Sequence, residues 1–316
     1  LSAQYQYNWN DKSQQIYDAI TSLRIQEARK WLELEKKNNP TNLINPLLES
    51  YADFYQLFFN ENKSDYEKLF PQFEKRLEVF ESGPKQSPYY LYCIGVTHLH
   101  KSLVAIRFDK NLDAALEFRK AYLTFKDNKK AFPKFTQGDV YYGLMTTIIG
   151  TVPKAYQWMA NVLGMTGKIT EGNALVLKYI NSKDEYSARA RNEALFVYPY
   201  LLMNFEGNQE KTFAFLESTP YNFKKNQYQA YMAVNLYLNH QQSGKALSIV
   251  QEMEISDAYL PLPFWQYEIG YACINELKLE KAQKVLREDY EAKVKEASDM
   301  LNNCLAAIKE KTGLEG

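Results

Sequence analysis

The sequence predicts an all-α fold, a solenoid of stacked antiparallel helical hairpins. Three observations predict it. Thr212, Ala246 and Ala282 sit 34 and 36 residues apart in matching contexts, each in a short helical run that follows a longer, tyrosine-rich one. A period in this range belongs to hairpins that stack, because one hairpin alone cannot bury its apolar face. Apolar residues recur at helical spacing along nearly the whole chain, and no segment alternates strictly between apolar and polar. Strands are therefore not expected.

The elements follow in order. Ile16, Ala19, Ile20 and Leu23 form an apolar stripe that Ala28, Trp31, Leu32 and Leu34 continue until Asn38-Asn39-Pro40. Residues 43–59 read as a second helix, and 66–80 as a third that Ser82-Gly83-Pro84 ends. Ser87-Pro88 opens a long helix to residue 106, since the first turn needs no amide donor from Pro. Residues 112–125 follow as another helix.

Residues 140–152 carry no charge, and after Pro153-Lys154 residues 155–167 are again uncharged. Each half is too short for a membrane span, which takes about 20 apolar residues. The expectation is two buried helices joined near Gly150-Thr151-Val152-Pro153. The alternative is membrane contact or a lipid pocket near Leu144, Ile148, Trp158 and Met159. The organisation expected is an N-terminal helical lobe over 1–135, an apolar central hairpin over 136–184 that bridges the lobes, and repeats over 185–316. Val294, Ala297, Leu301, Leu305 and Ile308 continue a stripe beyond the last repeat, which suits a long capping helix or pairing with a second copy.

Composition narrows the function. The chain has 316 residues, 46% hydrophobic and 24% charged, enough for a substantial core. Lys and Arg balance Asp and Glu at 38 each, which argues against a phosphate-tracking surface and so against nucleic acid. Tyrosine is abundant, at 25, and packs its ring while its hydroxyl stays wet, which suits helices lining a groove. Cys93, Cys273 and Cys304 lie far apart with no CxxC, so they are expected as buried small hydrophobes and not as a zinc or redox site. Leu1-Ser2-Ala3 resembles the small-residue end of a secretory signal. Export to the periplasm or surface of a bacterium is the expectation, and a cytoplasmic location is the alternative.

Trp265, Ile269, Gly270, Tyr271, Leu279, Ala282 and Leu286 resemble the tetratricopeptide repeat pattern. In the preceding unit Tyr237, Leu238, Ala246, Leu247 and Val250 match, with Val234 where a small residue is usual. In the unit before that, Gly207 suits the turn, while Tyr200 and Thr212 are bulkier than the pattern. Gly95, and Ala28 followed by Pro40, are echoes nearer the N-terminus. The resemblance covers about 195–290 and implies a right-handed superhelix whose first helices line a concave surface. Tyr142-Gly143-Leu144, Ile148-Ile149-Gly150, Pro153, Gly164, Gly167 and Gly172 further resemble the central hairpin of a eukaryotic tetratricopeptide-like family tied to inclusion-body clearance. Over some 30 residues, that second resemblance implies architecture alone.

No catalytic constellation is readable. Gly164-Met165-Thr166-Gly167-Lys168 has two residues between its glycines where a phosphate loop needs four, and Ile169 follows the Lys. His98 and His100 are two apart and point away from each other on a helix. Arg189, Arg191 and Glu193 are expected as an ion-pair network. No catalytic residue, cofactor or metal is expected, and the chain reads as a non-enzyme.

The binding face is read from helical spacing on the first helix of each repeat. It holds Tyr228, Tyr231, Asn235 and Asn239 in one unit, and Phe264, Tyr267, Tyr271 and Asn275 in the next. Such rings offer contact area at low entropy cost, and the amides offer hydrogen bonds. The expected function is a scaffold for a protein or peptide partner in this groove. The alternative is a binder of a small ligand, glycan or lipid, using the aromatic strip or the central hairpin.

Overall fold

The computed structural model describes residues 4–262 and 264–275, with single positions 284, 287, 288, 291, 295 and 299 beyond them. Among the described residues the fold is all-α, and extended pairing is confined to an isolated bridge between Gln6 and Asn42. The third repeat's Leu279, Ala282 and Leu286, the capping stripe and Cys304 lie outside the described residues. Two compact units divide the chain: Leu1–Met232 with Glu254–Pro261, and Ala233–Met253 with Leu262–Gly316.

The first unit begins with α1 (Asp11–Ile20), α2 (Ile25–Asn38), α3 (Ile44–Asn60), α4 (Lys63–Glu81), α5 (Pro88–Arg107) and α6 (Asn111–Ala131). Side-chain caps start several of them. The Asn10 and Asn62 carboxamides accept from the backbone N–H groups of Ser13 and Asp65, and the Ser87 hydroxyl accepts from that of Tyr89. Each cap satisfies a donor the helix cannot satisfy itself. The bounds of α3, α5 and the start of α6 fall within two residues of those the stripes predict.

One expected run is broken. The stripe from Ile16 to Leu34 splits into α1 and α2 because Leu23 turns the chain in the left-handed region, at φ 64. Burial of Leu23 and a hydrogen bond from Leu260 N to its carbonyl hold that turn without glycine or proline. Leu34, expected on the stripe, is exposed. Glu61 and Asp109 make the same left-handed turn after α3 and α5.

Helices adjacent in sequence pack as pairs. The α5–α6 pair is antiparallel: Asn128 Nδ2 donates to Pro88 O at 2.7 Å at one end, and Ser102 Oγ to Ala114 O at 2.8 Å at the other. Between them Gly95 lets the Phe125 ring sit against the backbone, where a Cβ would meet it at 3.0 Å.

The central region differs from expectation. The partner of α7 (Asp139–Gly150) is α9 (Ile169–Ile180) and not residues 155–167. Glycines set the closeness. A Cβ on Gly150 would lie 2.6 Å from Ile169 N, and one on Gly143 would lie 2.8 Å from Gly172 O, so the two helices run antiparallel nearly in backbone contact. The second uncharged run forms only a 3₁₀ turn at Lys154–Tyr156 and the six-residue α8 (Gln157–Val162). Pro153 and the left-handed Gly164 bound it. Trp158 is 63% and Val162 77% exposed, so this run is not a buried helix.

After α9 come α10 (Arg191–Leu201), a π-helical turn at Leu202–Glu206, and α11 (Gln209–Ser218). Pro199 interrupts the amide ladder just before the π turn, and the left-handed Gly207 ends it. The helix α12 (Gln227–Asn239) runs across the division between units. In the second unit α13 (Ser243–Glu252) packs on α14 (Phe264–Asn275), burying Ala246 and Leu247 on one side and Trp265, Gly270 and Cys273 on the other. Cys93 and Cys273 are free and buried.

Candidate functional site

Ala190, Glu193, Ala194, Val197 and Leu201 share one face of α10 and its N-terminal approach. That face turns inward, so a carboxyl enters the core of the first unit. Glu193 Oε2 accepts from the hydroxyls of Tyr17 on α1 and Tyr141 on α7. Its Oε1 accepts a long bond, 3.5 Å, from Tyr55 on α3. Neighbouring groups fix the direction of the remaining bonds. Gln137 Nε2 donates to Tyr92 OH at 2.9 Å, so the Tyr92 proton is free to go to Tyr51 OH, 3.2 Å away. Tyr141 spends its proton on Glu193, so Tyr51 donates to Tyr141. The series Gln137, Tyr92, Tyr51, Tyr141 thus points its dipoles at one carboxyl, each bond polarising the next.

Burial pushes the Glu193 carboxyl up to about 7, while the hydrogen bonds from Tyr141, Tyr17 and Tyr55 and the nearby Tyr51 hydroxyl pull it back. Burial likewise drives the phenols of Tyr17, Tyr51, Tyr92 and Tyr141 well above their ordinary value, and the charge of Glu193 drives them further. They stay neutral donors. The expected ion-pair network is replaced by other contacts. Arg189 donates to Tyr89 OH, Arg191 Nη1 donates to Ile180 O at 2.9 Å, and no ion pair to Glu193 forms among the described residues.

Beside Glu193 opens a cavity of about 280 Å³. Its walls come from five helices at helical spacing: Phe54, Tyr55, Phe58 and Phe59 from α3; Leu99, His100 and Leu103 from α5; Tyr141 and Leu144 from α7. Phe196, Val197 and Tyr200 on α10 face Tyr228 and Tyr231 on α12. The rings brace one another. Phe196 stacks on Tyr228 at 3.7 Å, Phe54 stacks on His100 at 4.4 Å, and Phe59 meets Tyr231 edge-on at 5.1 Å. His100 is buried, which holds its imidazole neutral. Its Nδ1 meets Ser50 Oγ at 2.9 Å, and its Nε2 is buried with no hydrogen-bond partner. The cavity thus offers an aromatic wall and one carboxyl.

No family model, curated protein or solved structure matches this chain.

The residues expected on the binding face fall in two places. Tyr228 is buried in the first unit, and Tyr231 is half-buried there; both line the cavity. In the second unit Asn239 is exposed and donates to Asn235 Oδ1 at 3.3 Å. Phe264 is half-buried, edge-on to Trp265 at 5.4 Å. Tyr267 and Tyr271 are exposed, their rings 6.5 Å apart and within 3° of parallel. Asn275 Nδ2 donates to Ser243 Oγ at 3.2 Å. Of the residues weighed for a lipid pocket, Leu144 lines the cavity, whereas Trp158 and Met159 are exposed on α8. No helix of the described residues is long and apolar enough to cross a membrane, and no group of three or more metal-ligating side chains occurs among them.

Sequence reasoning missed His100 as a site residue and read Glu193 as an ion-pair partner. The available signal was a polar residue on an apolar stripe. His100 follows Val96 and precedes Val104 by four residues each, and Glu193 follows Ala190 by three and precedes Val197 by four.

Proposed function

We propose that this protein is a non-enzymatic binding protein, built as a tetratricopeptide-like helical solenoid, that takes a small ligand with an apolar body into the cavity of its first unit. The observation that carries the reading is the preformed aromatic cavity beside Glu193. Ligand sites are concave, mostly apolar and fitted with few polar groups, and this cavity has that make-up. Its rings are fixed by mutual stacking, so little order has to be gained on binding. The hydroxyls around Glu193 are neutral donors already engaged with it, which suits a structural floor better than proton transfer.

The test fills the cavity. Val197→Trp adds an indole where Val197 lines the wall. Wild type is expected to bind an apolar naphthalene fluorophore with one-to-one saturation. The variant is expected to bind at least about tenfold more weakly while keeping its circular dichroism, and tenfold is about 1.4 kcal/mol. Equal binding by a folded variant would place the fluorophore elsewhere and defeat the reading.

A second reading is favoured by one observation in the second unit. Tyr267 and Tyr271 form an exposed, near-parallel pair one helical turn apart. On this reading the pair, with Asn275, grips an extended peptide or partner helix.

A further inference from the structure

We propose that the cavity of the first unit selects a small organic ammonium ion, an amine on an apolar body, with its N–H groups directed to Glu193. The inference rests on the cavity reading above and names the ligand class. Three features on the cavity wall lead to it. The first is the carboxyl: Glu193 faces tyrosine hydroxyls from α1, α3 and α7 and has no ion pair among the described residues. A buried carboxylate without a cation is costly, and a bound ammonium supplies the missing charge.

The second feature is the geometry of the bonds that Glu193 already accepts. Oε2 takes the two close ones, from Tyr17 and Tyr141, and Oε1 only the long 3.5 Å contact with Tyr55. Oε1 therefore has acceptor capacity to spare, and a charge-assisted N–H is the stronger competitor for it. The third feature is the wall itself. Ring faces of phenylalanine and tyrosine attract a cation through their negative quadrupole, most strongly where water is excluded. Phe59, Phe196, Tyr228 and Tyr231 hold such rings in place. A carboxylate ligand would face Glu193 with like charge, and an alcohol would leave that charge unmatched.

Among the described residues, the side chains that bear most on Glu193 are phenols: Tyr17 from α1, Tyr51 and Tyr55 from α3, Tyr92 from α5, Tyr141 from α7, Tyr179 from α9 and Tyr228 from α12. None of these changes charge near neutrality, so Glu193 is the group on this site whose ionisation follows pH there. Burial holds the His100 imidazole well below its ordinary value, which favours its neutral form. A cation that binds the ionised carboxylate must expel its proton.

The experiment uses the full chain and three probes with one six-carbon tail: n-hexylammonium, 1-hexanol and hexanoate, titrated by calorimetry. Hexylammonium is expected to bind at least about tenfold more tightly than 1-hexanol at pH 8, with hexanoate weakest. Its affinity is expected to rise between pH 5.5 and 8 with proton release into the buffer, while that of 1-hexanol stays flat. Glu193→Gln is expected to erase the difference between the first two probes. If that variant fails to fold, the wild-type pH profile and proton count decide. Equal binding of hexylammonium and 1-hexanol, or a flat pH profile, overturns the cation and leaves the cavity reading standing. No binding of any of the three overturns both.

Discussion

Glu193 sets the acid–base behaviour of the interior. Its carboxyl is held at about 7 in the folded chain, against about 4.5 for an unburied one. A group with a raised folded value stabilises fully below its unfolded value and loses that contribution as pH rises through the folded one. Stability should therefore decline from about pH 4.5 to about pH 7 and level off above it, by roughly 3 kcal/mol from this residue. Glu193→Gln should flatten that decline in urea melts taken at pH 5, 6, 7 and 8. An unchanged slope would assign the pH dependence to other groups. Residues of this kind are half-legible in sequence. The position of Glu193 on an apolar stripe was visible, but its partners were not, because Tyr17, Tyr55 and Tyr141 lie 176, 138 and 52 residues away.

At the scale of elements, the α7–α9 pair depends on absent side chains. A Cβ on Gly172 would fall against Thr147 Oγ1 and Gly143 O and lie 2.6 Å from Thr147 N, and backbone cannot step aside as a flexible side chain can. Gly207 needs its φ of +68 but has nothing within 4 Å. Gly172→Ala should thus cost at least about 2 kcal/mol, as overpacking does. Gly207→Ala should cost about 1 kcal/mol, from the left-handed backbone alone. Thermal melts of both variants decide the order, and equal losses would mean that the two helices are not so closely packed. The bounds of α3, α5 and the start of α6 were legible because stripes, caps and Pro88 act locally. The break after α1 was not, since Leu23 turns left-handed through its tertiary contacts. The exposure of α8 was not legible either, because an uncharged run reads alike whether it is buried or wet.

For the whole molecule, charge balance and, among the described residues, all-helical architecture were legible, while the division of the residues expected on the binding face between two units was not. Helical spacing put Tyr228 and Tyr231 on one strip with Tyr267 and Tyr271, but the first pair lines a cavity and the second is exposed. Burial comes from contacts distant in sequence, and spacing cannot report it. The two pairs are therefore separable by experiment. Affinity capture from the native cell with wild type and with Tyr267→Ala/Tyr271→Ala should show loss of a peptide or protein partner in the double variant if the second reading holds. The same variant should retain the naphthalene fluorophore. Identical captured proteins would remove the second reading and leave the cavity untouched.

The bond between Tyr17 and Glu193 has a consequence for biosynthesis. The tyrosine leaves the ribosome 176 residues before the carboxyl it serves. Until then the nascent chain holds phenols and rings on its inner side with no acceptor at their centre, and contacts so distant in sequence form late. Synthesis of α10 is thus the earliest point at which the bonds to Glu193 can form, and α12 and residues 254–261, which complete the first unit, come later still.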